Sequence, residues 1–242
     1  MFSIFKPRKK VVANPLATDI HSHLLPLLDD GVKSFEESAS LVSQFADLGY
    51  SQLITTPHSD SYLYRHEAAA ITGRHSELMD YLRQQGIVMP IQAAAEYYLD
   101  EALHHKIAND EPLLTFGDRY LLFETNFLSE PLQLKEFIFS AATRGYKPVL
   151  AHPERYQYLV DDFDKVEDLK SRGVFFQVNI PSLIGAYSRP VKKLAMTLID
   201  RGWVDFLGSD CHNQRQMDML KKAWKSRPVE KALALPLLNR TL

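Results

Sequence analysis

Two histidines and two aspartates lie close together near the start of the chain. The stretch TDIHSHLLPLLDDG, residues 18–31, contains His21 and His23 one residue apart, followed by Asp29 and Asp30 beside a glycine. Residues i and i+2 of an extended chain face the same side, so both imidazoles can bind one metal ion. The spacing indicates a metal site, with Asp30 as a further ligand and Asp29 as a turn residue or the hydrogen-bond partner of a ligand.

A second stretch, late in the sequence, repeats this spacing. GSDCH places Asp210 and His212 on one side of an extended chain and Cys211 on the other. Four further apolar runs end in residues that bind metals: His58, Glu96, Glu124 and His152. A lone histidine at a strand end is more often a hydrogen-bonded structural residue than a ligand. Five of the nine histidines and three acids at such positions, however, favour metal binding. The other histidines are predicted at the surface: His66, His75, His104 and His105.

Short apolar runs and amphipathic segments alternate along the chain. Seven runs have strand length, among them LATDIH, RYLLFET and GVFFQVN. Glycines lie where helices end in a left-handed residue: Gly49, Gly86, Gly145, Gly173 and Gly202. Alternating β and α units form parallel sheets with right-handed crossovers. Seven units in one domain favour a β/α barrel, although a doubly wound sheet has the same periodicity. In a barrel the carboxyl ends of the strands share one face, which would gather the candidate ligands.

Capping signals predict where helices begin. Ser34 and Glu37 form a capping box before an amphipathic segment, and Ser188 precedes a helix with Pro190 in its first turn. Further helices are predicted over four ranges: 64–85, 131–144, 162–172 and 189–201. We expect one domain over residues 16–242, preceded by a loose N-terminal arm over residues 1–15.

Composition excludes several classes of protein. The chain has 242 residues, 45% of them hydrophobic and 24% charged, and a formal net charge of −2. It offers no basic surface for nucleic acid, and no window approaches the roughly 18 apolar residues of a membrane span. A single cysteine excludes an internal disulfide, and the first residues make a poor export signal. We therefore expect a cytoplasmic protein without membrane insertion, whose oligomeric state the sequence leaves open.

Six motifs, taken together, resemble those of a known family. DIHSHLLPLLDDG, TTPH, AAAEYY, LLFET, AHPERY and GSDCHN follow in this order between about residues 18 and 215. They resemble the PHP (polymerase and histidinol phosphatase) superfamily, and within it the bacterial protein tyrosine phosphatases of capsule and exopolysaccharide loci, the CpsB/CapC/YwqE type. The resemblance implies a distorted seven-stranded (β/α)7 barrel of PHP type, in agreement with the seven runs. It also implies a metal-dependent phosphoric monoester hydrolase acting on phosphotyrosine.

The same resemblance distributes the candidate ligands over three divalent metal ions. The first ion would be held by four side chains: His21, His23, Glu96 and Asp210. The second would share Glu96 with the first and add two ligands: Glu124 and His152. The third would have its own set: Asp30, His58 and His212. The family implies manganese, although nitrogen and carboxylate ligands suit manganese, iron or zinc alike.

The charge of such a site fits a phosphate ester. Three divalent ions and four carboxylates leave a net charge of about +2, which attracts a phosphate monoester. The metals would act as Lewis acids on the phosphoryl oxygens while a metal-bound hydroxide attacks phosphorus in line. Arg155 in HPERY and Arg215 in HNQRQ are candidates for binding the phosphate through paired hydrogen bonds. A loop after His58 is expected to border the site with three residues: Tyr62, Tyr64 and Arg65.

The resemblance also implies a partner, the tyrosine-rich tail of a bacterial tyrosine autokinase that controls polysaccharide export. A disordered tail can enter an open barrel mouth without a large docking surface. Phenolate, with a parent pKa of about 10, also leaves more readily than an alkoxide. The sequence thus favours phosphotyrosine over phosphoserine, phosphothreonine and histidinol phosphate.

Four alternative functions make different demands on the sequence. Histidinol-phosphate phosphatase, or another PHP phosphoesterase, would use the same metals with a different pocket rim. A metal-dependent amidohydrolase also uses His-x-His, but no lysine ligand is evident at a middle strand end. A non-catalytic phosphotyrosine-binding protein would have lost ligands, and none is missing. A cysteine-based phosphatase needs arginine six positions after its cysteine, whereas Met217 follows Cys211 at that distance.

Overall fold

The computed structural model describes residues 13–242, which contain parallel strands and the helices that connect them. Nine strands occur in this part of the chain: β1 (Thr18–Asp19), β2 (Gln52–Thr55), β3 (His58–Ser59), β4 (Ile91–Ala93), β5 (Glu96–Tyr98), β6 (Tyr120–Glu124), β7 (Lys147–Ala151), β8 (Phe175–Asn179) and β9 (Phe206–Gly208). They form two sheets, of order β1-β2-β4 and β3-β5-β6-β7-β8-β9, and every strand pair is parallel. The predicted parallel α/β fold is confirmed.

The strand count differs from the predicted seven because two of the predicted runs are interrupted. β2 and β3 lie in the run that ends at His58, and β4 and β5 lie in the run that ends at Glu96. Pro57 has no N–H to give to a sheet, and the neighbouring Thr56 N–H donates to Ser22 O at 2.7 Å. Within residues 13–242 the strands therefore form sheets of three and six strands, without continuous pairing around a closed barrel.

Hydrogen bonds outside the two sheets join the first strand run to the last. The His23 N–H donates to Cys211 O at 2.9 Å, and the Asp210 N–H donates to His21 O at 2.8 Å. These bonds lie just beyond the ends of β1 and β9. The first and last runs are therefore neighbours in space, and the ligands predicted on each lie side by side.

A buried asparagine strengthens this link. Asn239 lies in the short 3-10 turn Leu238–Thr241 and is fully buried. Its Nδ2 donates to Thr18 O at 2.9 Å and to Leu207 O at 2.8 Å, and its Oδ1 accepts from the Leu207 N–H at 3.0 Å. One side chain thus connects β1 with β9.

Nine α-helices occur in the described part of the chain: α1 (Phe35–Asp47), α2 (Ala68–Gln84), α3 (Glu101–Ala108), α4 (Leu134–Thr143), α5 (Gln157–Val160), α6 (Phe163–Ser171), α7 (Arg189–Asp200), α8 (Gln214–Ala223) and α9 (Arg227–Leu233). The predicted helices correspond to α1, α2, α4, α6 and α7. Ser34 Oγ accepts from the Glu37 N–H at 3.2 Å, and Ser188 Oγ accepts from the Val191 N–H at 3.3 Å, so both predicted N-caps are confirmed. The glycines predicted to end helices all have positive φ: Gly49, Gly86, Gly145, Gly173 and Gly202.

The strands are covered by apolar side chains on both faces. An inner cluster consists of residues from the strand runs and from one loop: Ile20, Ile54, Ala94, Phe116, Leu122, Val149, Ala151 and Phe206. A larger cluster includes helix residues such as Phe45, Phe137 and Leu198. Parallel strands are normally buried in this way, which explains their near-continuous apolar sequences.

Two expectations about the periphery need correction. Of the predicted arm, residues 1–12 lie outside the described residues, but Asn14 is buried and its N–H donates to Gly49 O at 2.8 Å. The chain therefore joins the domain before the predicted boundary at residue 16. Among the four histidines predicted at the surface, only His105 is exposed. His66 and His75 are half-buried because their Nε2 atoms bond the main-chain oxygens of Leu28 and Ile91, and His104 is half-buried against Phe137.

Within residues 13–242, no helix is both long enough and apolar enough to cross a membrane.

Candidate metal centre

The residues predicted to bind metals lie at strand ends or on the loop that follows the first strand. His21 and His23 follow β1, and Asp30 lies on the loop before α1. Four more side chains begin, end or directly follow a strand: His58, Glu96, Glu124 and His152. Two residues follow β9: Asp210 and His212. Most of these side chains are buried; Asp30 is the most exposed of them, and its side chain is 59% exposed.

Four ligand atoms face one another in the first group. His21 Nε2 lies 3.1 Å from Glu96 Oε2 and 3.5 Å from Asp210 Oδ1. His23 Nε2 lies 3.5 Å from the same glutamate oxygen and 3.6 Å from the same aspartate oxygen. Ligand atoms bound about 2.1 Å from one ion are themselves about 3.0–3.4 Å apart. The spacing therefore fits one divalent ion.

The second group shares Glu96 with the first. His152 Nε2 lies 3.1 Å from Glu96 Oε1. Glu124 Oε1 is 3.1 Å from His58 Nδ1, which is also 3.2 Å from Glu96 Oε2, the oxygen that faces the first group. Glu96 is therefore placed to contribute to both groups. His58 joins this group as well as the third, a feature that the motif comparison did not indicate.

The third group lies nearest to solvent. Asp30 Oδ1 is 3.3 Å from His212 Nε2 and 3.6 Å from His58 Nε2. The His212 ring stacks on that of His23, with centroids 3.7 Å apart. Ligand atoms of these four residues all lie within 4.8 Å of one another. The structure thus brings together all nine predicted ligands in three overlapping groups.

Hydrogen bonds on the far side of two imidazoles show that the site requires positive charge. His21 Nδ1 bonds Gln177 Oε1, and His23 Nδ1 bonds Asp29 Oδ2, both at 2.7 Å. Both acceptors are oxygens, so each Nδ1 carries the proton and a neutral ring presents an Nε2 lone pair. The two Nε2 atoms are only 3.3 Å apart and both face Glu96. Lone pairs and carboxylates packed in this way need protons or metal ions between them, so the residues fit the predicted metals.

The pKa values report the same demand for positive charge. Burial lowers the pKa of His21, but the charges of Glu96 and Asp210 raise it to about 9. Burial likewise lowers the pKa of His58, while Glu96 and Glu124 raise it to about 10. For Glu96 and Asp210, burial raises the pKa, but the neighbouring histidines bring it below the ordinary value. The site therefore keeps these carboxylates ionised, as metal ligands must be.

The backbone around the ligands is unusual. His152 has φ 35° and Asp210 has φ 52°, both in the left-handed region that side chains other than glycine rarely adopt. A Cβ atom at Gly31 would lie 2.4 Å from His23 O, and one at Gly208 would lie 2.8 Å from His21 Cβ. Backbone strain and close approaches of this kind concentrate at functional sites.

Strand β8 supplies no predicted ligand but supports two of them through a chain of amides. His21 Nδ1 donates to Gln177 Oε1, and Gln177 Nε2 donates to Asn179 Oδ1 at 2.8 Å. Asn179 Nδ2 then donates to Asp210 Oδ2 at 2.7 Å. Because a carboxylate only accepts, every donor in this chain points from His21 towards Asp210. The chain leaves His21 Nε2 and Asp210 Oδ1 directed at the first group.

Arg155 is fixed beside the ligands. Its Nη1 donates to Asp210 Oδ2 at 2.9 Å. The guanidinium carbon lies 4.9 Å from the ring centroid of Phe127 and 4.5 Å from that of Tyr187. Burial lowers the pKa of Arg155, but the charges of Asp210 and Tyr187 outweigh this effect. The pKa is therefore above its ordinary value, and the guanidinium stays charged. A positive group held between two rings and facing the ligands suits binding of an anion.

A cavity of about 510 Å³ lies over the ligand groups. Its lining includes the charged residues Asp30, Glu124 and Arg155. Four aromatic residues also line it: Tyr62, Tyr64, Tyr98 and Phe127. The ring of Tyr64 stacks on His58, and that of Phe127 stacks on His152, at centroid distances of 5.6 and 5.7 Å. The cavity is therefore charged at its base and aromatic along its sides.

The structure does not bring two predicted residues to this cavity. Arg215 is exposed in the first turn of α8, and its neighbour Gln216 lines the cavity instead. The helical register after Asn213, whose side chain caps α8, directs Arg215 away. Arg65 lines a different hollow, together with Glu67 and other residues.

Several contributing residues were not identified from the sequence. Gln177, Asn179 and Tyr187 had no metal-binding motif to mark them, and only the position of Asn179 at a strand end was a signal.

Cys211 is fully buried, and burial raises the pKa of its thiol well above the usual range. It is therefore unsuited to act as a nucleophile.

The chain matches the family described as "Capsular polysaccharide synthesis, CpsB/CapC" over residues 17–230. The tyrosine-protein phosphatase YwqE of Bacillus subtilis (strain 168) is 27% identical over 195 residues, covering 81% of this chain and 77% of that protein. The tyrosine-protein phosphatase CpsB of Streptococcus pneumoniae is 26% identical over 226 residues, covering 88% of this chain and 93% of that protein.

The fold agrees with this match. YwqE from Bacillus subtilis and CpsB from Streptococcus pneumoniae are described as unique metal-dependent tyrosine phosphatases, and crystal structures of them are known. This chain superposes on one of these structures with a TM-score of 0.77 at 26% identity, and the superposition covers 93% of this chain and 96% of the other. The family match spans most of the sequence, and the chain therefore belongs to the CpsB/CapC family of capsular polysaccharide synthesis.

Proposed function

We propose that this protein is a metal-dependent protein tyrosine phosphatase that hydrolyses phosphotyrosine. The observation that carries the proposal is the convergence of the nine predicted ligand side chains beside a cavity that Arg155 also lines. The tyrosine phosphatases YwqE and CpsB, similar to this chain along most of its length, support the same activity.

We propose three divalent metal ions, with manganese as the native metal and iron or zinc as alternatives. The first set of ligands is His21, His23, Glu96 and Asp210. The second set is Glu96, Glu124 and His152, with His58 adjoining it. The third set is Asp30, His58 and His212. When bound, such ions supply Lewis acidity to the phosphoryl oxygens and to the attacking water.

The chain's own residues bind and orient the phosphate. Asp210 occupies one N–H of the Arg155 guanidinium, which leaves other N–H groups free for phosphate oxygens. Phe127 and Tyr187 keep the guanidinium in place, so the arginine loses little freedom when the substrate binds. The aromatic sides of the cavity can pack against the phenyl ring of an aryl phosphate, and they therefore suit it better than an alkyl phosphate.

We further propose that the two sheets represent one distorted seven-run barrel. The bonds between the runs containing His21 and Asp210, and the inner apolar cluster, support this description. The physiological substrate we propose is the phosphotyrosine tail of a tyrosine autokinase in the cytoplasm, which an open cavity can admit.

The test combines metal analysis with hydrolysis assays. Purified protein is loaded with Mn²⁺, and kcat/KM is measured on phosphotyrosine and phosphoserine peptides of one sequence and on histidinol phosphate. We expect a clear preference for phosphotyrosine and its loss after chelation. His21→Ala and Asp210→Ala should each lower kcat/KM by at least about 100-fold and lower the Mn²⁺ content, because each removes a ligand.

His105→Ala is the matched control, because this histidine is exposed and far from the cavity lining. Near wild-type turnover in either ligand variant at limiting metal would contradict the metal assignment. A preference for histidinol phosphate would instead make the protein a histidinol-phosphate phosphatase.

A further inference from the structure

Two loops beside the cavity expose apolar side chains to solvent. The loop after β3 exposes Tyr62 and Leu63, which are 73% and 81% accessible. The loop after β6 exposes Phe127 and Leu128, which are 38% and 77% accessible. We call these two aromatic–leucine pairs the rim pairs. Large apolar side chains in this position lose the free energy of burial that a fold normally gains from them.

The rim pair of the first loop is held in place by one carboxylate. Asp60 Oδ1 accepts hydrogen bonds from the backbone N–H groups of Tyr62, Leu63 and Tyr64 at 2.5, 2.6 and 3.2 Å. The neighbouring Ser61 N–H donates to Asp100 Oδ2 at 2.9 Å. The loop is therefore anchored on both sides of its turn while its apolar side chains face outward.

The second loop has an equivalent arrangement. Asn126 Oδ1 accepts from the N–H groups of Leu128 and Ser129 at 2.8 and 3.1 Å. Phe127 O accepts from the Gln157 N–H at 2.7 Å, which ties the loop to α5. Both rim pairs are thus exposed by loops with defined hydrogen bonds.

Sheet order places the rim pairs on either side of the end of β5. β3 and β6 are the two neighbours of β5, so the loops that follow them flank the end of β5. Tyr98, at the end of β5, lines the cavity, as do Tyr62, Leu63 and Phe127. The cavity lining therefore extends to both rim pairs, with Leu128 next to Phe127 beyond it.

One acid of the cavity lining, Asp60, belongs to no proposed ligand set and lies in the loop of the first rim pair. Asp30 and Glu124 also line the cavity, but the metal ions that they are proposed to hold would neutralise them. A carboxylate of the peptide beside the first loop would therefore meet Asp60, whereas an apolar side chain would cover the rim pair.

We propose that the rim pairs bind apolar or aromatic side chains on both sides of the phosphotyrosine in an extended peptide. The proposal rests on the proposed phosphatase function and adds the class of peptide on which it acts. In an extended peptide, residues two positions before and two positions after the phosphotyrosine face the same side as it does, about 6.6 Å away along the chain, so their side chains are directed at the surface that carries the two loops. Burial of an apolar side chain against each pair strengthens peptide binding and lowers KM.

The test uses three phosphotyrosine peptides that differ only at the positions two before and two after the phosphotyrosine, which carry leucine and tyrosine, two alanines, or two aspartates. They are called the apolar-flanked, alanine-flanked and aspartate-flanked peptides. p-Nitrophenyl phosphate serves as a substrate without flanking residues. With Mn²⁺-loaded protein we expect kcat/KM to be about tenfold higher for the apolar-flanked peptide than for the alanine-flanked one, mainly through KM. The aspartate-flanked peptide should be the poorest of the three.

Leu128→Ala should lower kcat/KM for the apolar-flanked peptide towards the value of the alanine-flanked one. Its rate on p-nitrophenyl phosphate should stay unchanged, because Leu128 does not line the cavity. Val88→Ala, which shortens an apolar residue that is 92% exposed elsewhere, is the matched control.

Equal kcat/KM for the apolar-flanked and alanine-flanked peptides, or a preference that is undiminished in Leu128→Ala, would overturn the rim proposal and leave the phosphatase function intact. Failure of the Mn²⁺-loaded protein to hydrolyse any phosphotyrosine peptide would overturn both.

Discussion

Gln177 and Asn179 act on the site without belonging to any ligand set. Their amides connect His21 to Asp210 in one donor direction, and both side chains are fully buried. Such contacts orient imidazoles and carboxylates before a metal arrives, and their loss typically costs about 10- to 100-fold in metal affinity.

We therefore expect Asn179→Ala to weaken Mn²⁺ binding by about 10- to 100-fold. The alanine leaves Asp210 Oδ2 with only Arg155 as a side-chain donor, so the carboxylate can turn away from His21. Free Mn²⁺ measured by electron paramagnetic resonance during a titration gives the dissociation constant directly. Asn109→Ala, at an exposed asparagine, is the control, and an unchanged constant for Asn179→Ala would show that the amide chain has no such role.

At the scale of single residues, the sequence predicted the candidate ligands but not the side chains that hydrogen-bond to them. His-x-His spacing and strand-end acids identify ligands because few other residue types bind metals. Glutamine and asparagine occur throughout proteins, so only the folded chain, in which Gln177 meets His21 and Asn179 meets Asp210, shows what these amides contact. That Arg215 lies outside the cavity lining could not be predicted either, because its direction depends on the register of α8, which begins at Gln214.

At the scale of elements, glycines allow strands and loops to approach the ligands closely. Gly208 ends β9 directly against Gln177 and His21. Apolar periodicity and caps predicted the seven strand runs and helices α1, α2, α4, α6 and α7, but not α3, α5, α8 and α9. The breaks at Pro57 and before Glu96 were not predicted either, because they depend on which strand each backbone group meets.

Gly208→Ala should both destabilise the fold and weaken the site. Its Cβ would lie 2.7 Å from Gln177 Nε2 and 2.8 Å from His21 Cβ, and both neighbours are buried. Relief of this overlap must move the glutamine or the histidine, at a cost of about 1–3 kcal/mol in the free energy of unfolding. Urea denaturation in EDTA measures this loss without any contribution from metal.

Gly73→Ala is the matched control, because a Cβ there meets nothing within 4 Å and the residue lies inside α2. That substitution should raise the free energy of unfolding by up to about 1 kcal/mol. Equal stability of Gly208→Ala and the unsubstituted protein would mean that the strands shift easily around the site.

At the scale of the whole molecule, the first and last strand runs meet through a few specific bonds. Asn239 satisfies groups of both β1 and β9, and neither set of contacts was evident from local sequence patterns. Contacts between residues so distant along the chain depend on the complete fold, which is why sequence periodicity predicted the units but not how they join.

Asn239→Ala should lower the free energy of unfolding by about 1–3 kcal/mol, because it leaves buried Leu207 and Thr18 backbone groups without their partner. The loss should appear in EDTA and in Mn²⁺ alike, as a lower urea midpoint with an unchanged slope. Asn109→Ala again provides the comparison, and an unchanged midpoint for Asn239→Ala would mean that other contacts suffice to hold the two runs together.

The meeting of these two runs also bears on when the protein can first take up its metal during synthesis. Asp19 and Ser209, which hydrogen-bond beside His21 and Asp210, are 190 residues apart. A ribosome needs roughly 10 to 40 s to make that length of chain. Throughout this interval His21 and His23 have emerged without Asp210, so the first ligand group is complete only after almost the whole chain has been made. In a cell short of the metal, newly made chains would therefore compete for an ion in this group as nearly whole molecules and not as growing ones.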